Sequence, residues 1–210
     1  MGTEKGEARA ESKHKAILDA AIEVFLKRGY LGANMDEIAA VSGVSKQTVY
    51  AHFRSKEALF VAVVGGMTDE ASSTLHDPAQ DPDQVEDIAE YLLTYAVRRL
   101  TVVLTPRIMQ LRRLAIGEVG RFPELARVLY ERGPLRTMKT LASTFERLSE
   151  EGKLEVEDSR EAASSFNWLI MAEPLNRAML LGDDAIPNAD ELRRHAVEGV
   201  RVFLAGYGKR

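Results

Sequence analysis

The chain has no cysteine in 210 residues. That excludes disulfide staples, thiolate nucleophiles, iron–sulfur clusters and cysteine zinc sites together. Long apolar runs are missing as well. The longest, Ala58 to Val64, covers seven residues, against the roughly 20 that a helix needs to cross a bilayer, so no membrane partner is expected. The first fifteen residues, MGTEKGEARAESKHK, alternate charges and lack the apolar core of a secretory signal, which predicts a cytoplasmic protein. Ligand patterns are equally scarce. The four histidines, His14, His52, His76 and His195, are scattered and form no HExxH pattern. There is no P-loop and no dinucleotide fingerprint, and the short glycine frame Gly117-Glu118-Val119-Gly120 lacks the lysine of a phosphate site; it reads as a helix end. No catalytic residue, metal ligand or cofactor is therefore expected. An enzyme with a site assembled from distant residues stays open as an alternative.

What is present is the material of a packed protein: 45% apolar and 29% charged residues, enough to bury a sizeable core. The length suits one large domain or a small head on a larger body. The net charge of −4 gives no global reason to expect a nucleic acid, but its distribution is uneven. Residues 1–60 hold nine Lys or Arg and eight Asp or Glu, for +1, whereas the other 150 sum to −5. Within the first part, Ser42 to Lys56 carries Lys46, Arg54, Lys56 and His52 and no acid.

The apolar spacing is helical nearly throughout and predicts an all-α fold. Ile17, Leu18, Ala21, Val24 and Phe25 form a first stripe that Gly29 closes. Asn34 followed by Glu37 has the shape of a capping box and starts a short helix to about Val41, which Gly43 stops. Ser45 caps the next helix, ending near His52 or Phe53, and Ser55 caps another that meets Gly65-Gly66, where its fate is open. His76 to Asp83 reads as a loop. The stretches 84–104 and 161–181 each hold thirteen apolar residues, too many for a helix with one face in water. Five or six helices are expected in this larger part, with Thr105-Pro106, Gly120 to Pro123, Gly133-Pro134, Glu151-Gly152 and Gly182 to Pro187 as punctuation.

The informative spacing is Ala39, Gly43, Val44 and Val49. Two short helices that cross at about 90–120° need a small residue at the crossing, a turn residue tolerant of positive φ, and apolar anchors on the second helix. With Val44 and Val49 inward, Lys46, Gln47, Thr48 and Tyr50 project outward from a helix able to enter a major groove.

On these residues the segment Ile17–Leu59, with "AILDAAIEVFLKRGY" and "MDEIAAVSGVSKQTVYAHFRSKEALF", resembles the DNA-binding head of the TetR family of bacterial transcription regulators. The stretch "RLAIGEVGRFPELARVLYERGP" is similar to a subgroup whose relatives often control efflux pumps. The resemblance implies a three-helix helix-turn-helix head over 1–60, with 1–12 as a disordered arm, joined to a helical ligand-binding and dimerisation body over 61–210. It implies contacts with operator DNA from Asn34, Met35, Ser45, Lys46, Gln47, Thr48, Tyr50, His52 and Lys56, the last anchoring the DNA backbone. Gln47 departs from the small residue of many relatives, and pairing with adenine or reaching a phosphate stand as equal readings; Phe53 is read as core.

A small head reads few base pairs, so useful specificity asks for a homodimer. The expected interface comprises Ala162, Phe166, Leu169 and Ile170 with Leu192, Ala196, Val200 and Phe203, and Pro174 is expected to kink its helix and free a carbonyl near the pocket wall. The resemblance also implies a small hydrophobic or cationic effector, with Tyr95, Met109, Phe122, Trp168 and Met171 as wall residues and Arg112, Glu118 and Asn176 as polar anchors. The expected function is a ligand-released repressor on a palindromic operator. The alternatives are an activator or a regulator without ligand, and a helical interaction protein that no longer binds DNA.

Overall fold

The structure is a computed structural model that describes residues 2–75 and 87–209, with side chains described over 8–69 and 87–209. The expected loop His76 to Asp83 lies outside the described residues. Among these, the chain runs through α1 (Gly2–Gly32), α2 (Met35–Ser42), α3 (Lys46–His52), α4 (Lys56–Leu75), α5 (Ile88–Val103), α6 (Pro106–Gly117), α7 (Pro123–Tyr130), α8 (Arg136–Glu150), α9 (Ser159–Leu181) and α10 (Ala189–Tyr207). The described β-pairing is a single bridge between Leu154 and Gly208. The all-α expectation is met. The chain divides into two compact units, residues 1–67 with 111–129 and residues 68–110 with 130–210.

In the first unit α1 runs from Gly2 through the stretch expected as an arm. It breaks where the sequence places the break, at Gly29 with φ of 72°, a region that costs an L side chain strain. Ile17, Ala21 and Phe25 are fully buried. Phe25 and Tyr30 each meet Phe60 edge-on, at 5.3 and 5.5 Å between ring centroids, and Phe122 closes on Tyr30 at 4.8 Å. Such pairs contribute about 0.5–1.5 kcal/mol each beyond their buried area. α4 is capped by Ser55, whose Oγ accepts from the Ala58 amide at 3.0 Å, and it continues unbroken through Gly65-Gly66.

The second unit packs α5, α8 and α10 around α9. Phe166 is its centre, 5.7 Å from Phe145 and 4.9 Å from Phe203. α10 lies close on α9 because residue 199 is glycine: a Cβ there would sit 3.1 Å from Ile170 Cγ2. Pro174 stands inside α9 and has no N–H for the Ile170 carbonyl four residues earlier. His195 of α10 supplies the missing partner, its Nε2 lying 2.9 Å from that oxygen. The freed carbonyl foreseen from Pro174 is thus present, and it ties two helices together. The expected break at Gly133-Pro134 is instead a wide π turn over Glu131–Leu135 that leads directly into α8.

The expected partner-facing set needs correction. Ala162, Phe166 and Ile170 of α9, and Leu192, Ala196, Val200 and Phe203 of α10, are buried within this one chain, and Leu169 is half-buried. The physical reason is that α5 and α8 already cover that side of α9 and α10. The outward side carries Trp168 on α9, 51% exposed, and Val197 on α10, 47% exposed.

Candidate nucleic-acid interface and effector site

The turn between α2 and α3 is built by local hydrogen bonds. Asn34 is extended, and its Oδ1 accepts from the Glu37 amide at 2.8 Å, which satisfies one of the free amides of α2's first turn. The Glu37 carboxylate turns away to Arg28 Nε at 3.0 Å, so the foreseen box is closed on one side. Gly43 takes φ of 69° and its amide returns to the Ala40 carbonyl. Ser45 then caps α3, accepting from the Thr48 amide at 3.2 Å, with the two hydroxyls 2.8 Å apart.

Rotation of α3 is set by its buried anchors, Val49 with no exposure and Phe53 with 5%. Ala39, at the crossing with α2, is buried as its size requires. Lys46, Gln47 and Tyr50 are consequently exposed, and Thr48 is half-buried behind them. The structure therefore places Ser45, Lys46, Gln47, Thr48 and Tyr50 on α3 and its cap, while Asn34 caps α2, the helix packed against α3. Lys46 is not a bare cation: its Nζ lies 2.7 Å from Asp36 Oδ1 of α2. The hydrogen bond and the negative charge of Asp36 raise the Lys46 pKa. Asp36 was not singled out by sequence reasoning, although its place ten residues before Lys46 across a tight turn was the signal. His52 is half-buried, with its ring 5.6 Å from that of His14.

Two members of the expected contact set sit elsewhere. Met35 is 6% exposed, its side chain in the core of the first unit, so its backbone amide at the start of α2 is the part that can meet an anion. Lys56, expected on a DNA phosphate, directs its ammonium to the end of α1. Nζ donates to the carbonyls of Tyr30 at 2.7 Å, Ala33 at 2.9 Å and Leu31 at 3.3 Å, and it lies 4.7 Å from the centre of the Tyr30 ring. Three donors meet three acceptors, which leaves no proton over. Burial lowers the Lys56 pKa, with Glu118 opposing. Burial also raises that of Tyr30, helped by Glu57, Glu124 and Glu118.

The eight expected effector residues divide between the units. Arg112, Glu118 and Phe122 belong to the first, where Phe122 packs on Tyr30. Tyr95, Met109, Trp168, Met171 and Asn176 belong to the second. There Met109 and Met171 are buried, whereas Trp168 and Asn176 are exposed. Tyr95 is half-buried, 6.2 Å from the Phe166 ring. Its neighbour one turn on, Arg99, was missed. Arg99 is 8% exposed on a stripe with Leu92, Ala96, Leu100 and Val103, and a cation at core spacing on an amphipathic helix was the available signal. No group of metal-binding side chains is found among the described residues, and no helix among them is long and apolar enough to cross a membrane.

Comparison with known proteins gives two family matches. Residues 17–63 match the family of bacterial regulatory proteins named for TetR, and residues 90–209 match the C-terminal domain of the AefR-like transcriptional repressors. A solved TetR-family transcriptional regulator from Mesorhizobium loti is 35% identical, with a TM-score of 0.88 over 95% of this chain and 98% of that one. The solved flavonoid-responsive regulator FrrA is 32% identical, with a TM-score of 0.79 over 94% of this chain and 98% of its own. The transcriptional regulator RutR of Escherichia coli is 36% identical over 90 residues. That match covers 43% of this chain and 42% of RutR, so the likeness to this curated relative spans less than half of its length.

Proposed function

The chain belongs to the TetR family of transcriptional regulators, and from that premise we propose that it is a homodimeric repressor that binds a palindromic operator and is released by a small molecule. The observation that carries the DNA-binding half is the outward face of α3, with Lys46, Gln47 and Tyr50 exposed over a buried Val49. A short helix with a donor-bearing face and a capped N-terminus fits a major groove. Asn34, Ser45, Thr48 and His52 border this face, together with the Met35 amide. Lys56 belongs to the reading as a positioning residue that fixes the end of α1 against the start of α4.

Dimerisation follows from the need to read two half-sites. The proposed face is the outer side of α9 and α10 around Trp168 and Val197, since an exposed tryptophan on a helix pair is the sort of apolar surface an interface core covers. Small-molecule response is supported by FrrA, whose name states responsiveness to flavonoids, and by the AefR-like match of the second unit, whose description is that of a repressor. Releasing DNA about a hundredfold asks the effector to favour one state by roughly 2.7 kcal/mol, within reach of a few buried contacts.

The test is a gel shift with DNA flanking the protein's own gene, titrated with salt. Specific binding of nanomolar order is expected, weakening with a slope of about −0.9 per neutralised phosphate, and Trp168→Arg is expected to halve the mass in solution. Absence of any DNA complex, with α3 intact, would leave the interaction-protein alternative.

A further inference from the structure

Among the described residues the buried polar side chains are Arg99 and Asn167, and Arg99 alone of the two carries charge. Arg99 lies on the side of α5 that packs against α9 and α10. Its Nε is wholly shielded and has no hydrogen-bond partner. The titratable group acting on it among the described residues is the Tyr95 phenol one turn earlier, not a carboxylate. Burial lowers the Arg99 pKa, yet a guanidinium starts so high that it stays charged in a protein. Burial raises the Tyr95 pKa, with Arg99 opposing, so the phenol keeps its proton and can donate.

An enclosed cation without a counter-charge is an arrangement that packing and stability both disfavour, and replacing such a group by an apolar one of similar volume is commonly neutral or stabilising. A forked donor of five N–H groups matches a carboxylate in two parallel hydrogen bonds. The Tyr95 ring that acts on this cation belongs to an aromatic series, 6.2 Å from Phe166, which in turn meets Phe145 and Phe203. We infer that the second unit takes a small aromatic carboxylic acid, its carboxylate paired with the Arg99 guanidinium and hydrogen-bonded by the Tyr95 hydroxyl. The inference deepens the effector reading above and rests on it for its regulatory meaning, while the binding itself can be measured without DNA. It also removes the cationic effector expected from the sequence, because a ligand ammonium would meet a like charge in a site of low polarity.

The experiment titrates the full-length protein by calorimetry and thermal shift with 1-naphthoate, the neutral 1-naphthamide and the cationic 1-naphthylmethylamine. Naphthoate is expected to bind, the amide at least about tenfold more weakly, and the amine not at all. Arg99→Met is expected to lose tenfold or more in naphthoate affinity while melting, without ligand, no lower than the wild type. Arg99→Lys, which keeps the charge and loses the fork, guards against a folding failure and is expected to bind naphthoate more weakly than the wild type while still preferring it to the amide. Tyr95→Phe is expected to weaken naphthoate by a few-fold. Equal binding of acid and amide, no binding of naphthoate, or undiminished binding by Arg99→Met overturns the inference. A gel shift run alongside separates the two readings. DNA release by the amide or amine without acid binding retains an effector and removes the acid; acid binding through Arg99 without DNA release retains the site and removes its regulatory role.

Discussion

Replacing Lys56 by methionine separates a phosphate anchor from an internal clamp, because the two roles predict opposite pairs of observables. In the structure the Lys56 ammonium donates to three carbonyls at the end of α1, two of them partly buried, and covers the Tyr30 ring. The two shielded bonds are worth about 1 kcal/mol apiece after allowance for partial solvent access, and the cation–π contact about 0.5–1 kcal/mol. The exposed bond to Leu31 adds little. The expected loss is therefore roughly 2–3 kcal/mol, a fall of about 5–10 °C in melting temperature for a chain of this size. Far-UV circular dichroism follows both units, whereas fluorescence of Trp168, the single tryptophan, reports on the second. The dichroism transition is expected to fall, and to precede that of the fluorescence where the units part company. The salt slope of operator binding is expected to stay unchanged, since no phosphate contact is lost. A slope reduced by about 0.9, with an unaltered melt, would refute the clamp and put Lys56 on the DNA.

Other consequences can be read in the same preparations. Gln47→Ala is expected to relax discrimination at one base pair by about 1–3 kcal/mol in a binding-site selection; an equal loss on every sequence would assign Gln47 to a phosphate. His195→Ala leaves the Ile170 carbonyl buried without a donor and is expected to cost about 1–3 kcal/mol by urea melting. In a Pro174→Ala background, which restores an amide to that carbonyl, the same change is expected to cost markedly less, and strictly additive losses would disprove the pairing. Folded-state pKa values of Tyr30 and Tyr95 lie above the ordinary 10.0 because of burial, so the unfolded chain sheds these protons first. Their contribution is whole below about pH 10 and is lost as pH rises through the folded values. Stability is thus expected to decline in that alkaline range, less steeply in Tyr95→Phe, as followed by denaturation at a series of pH values.

The head was legible because its determinants are local. Asn34, Gly43 and Ser45 act within three or four residues of their own positions, and each does in the structure what its side chain allows. Val49 and Phe53 then orient α3 by burial alone. What sequence could not carry is competition between partners that lie far apart in the chain. A lysine before an apolar helix is ready for any acceptor, and the end of α1, more than twenty residues away, supplies three of them to Lys56. The helices α9 and α10 show the same limit. Periodicity marks their apolar stripes but is silent on whether α5 or a second chain covers them. Phe166 and Phe203 were placed on the wrong side for that reason, since the larger and more continuous stripe was already claimed within the chain. Trp168 of α9 and Val197 of α10 are left outside that stripe, and their exposure leaves them for something other than the chain's own core. Arg99 is the converse case: a charge within an apolar stripe contradicts the fold's own rule, and such contradictions collect where a chain is built to bind rather than only to fold.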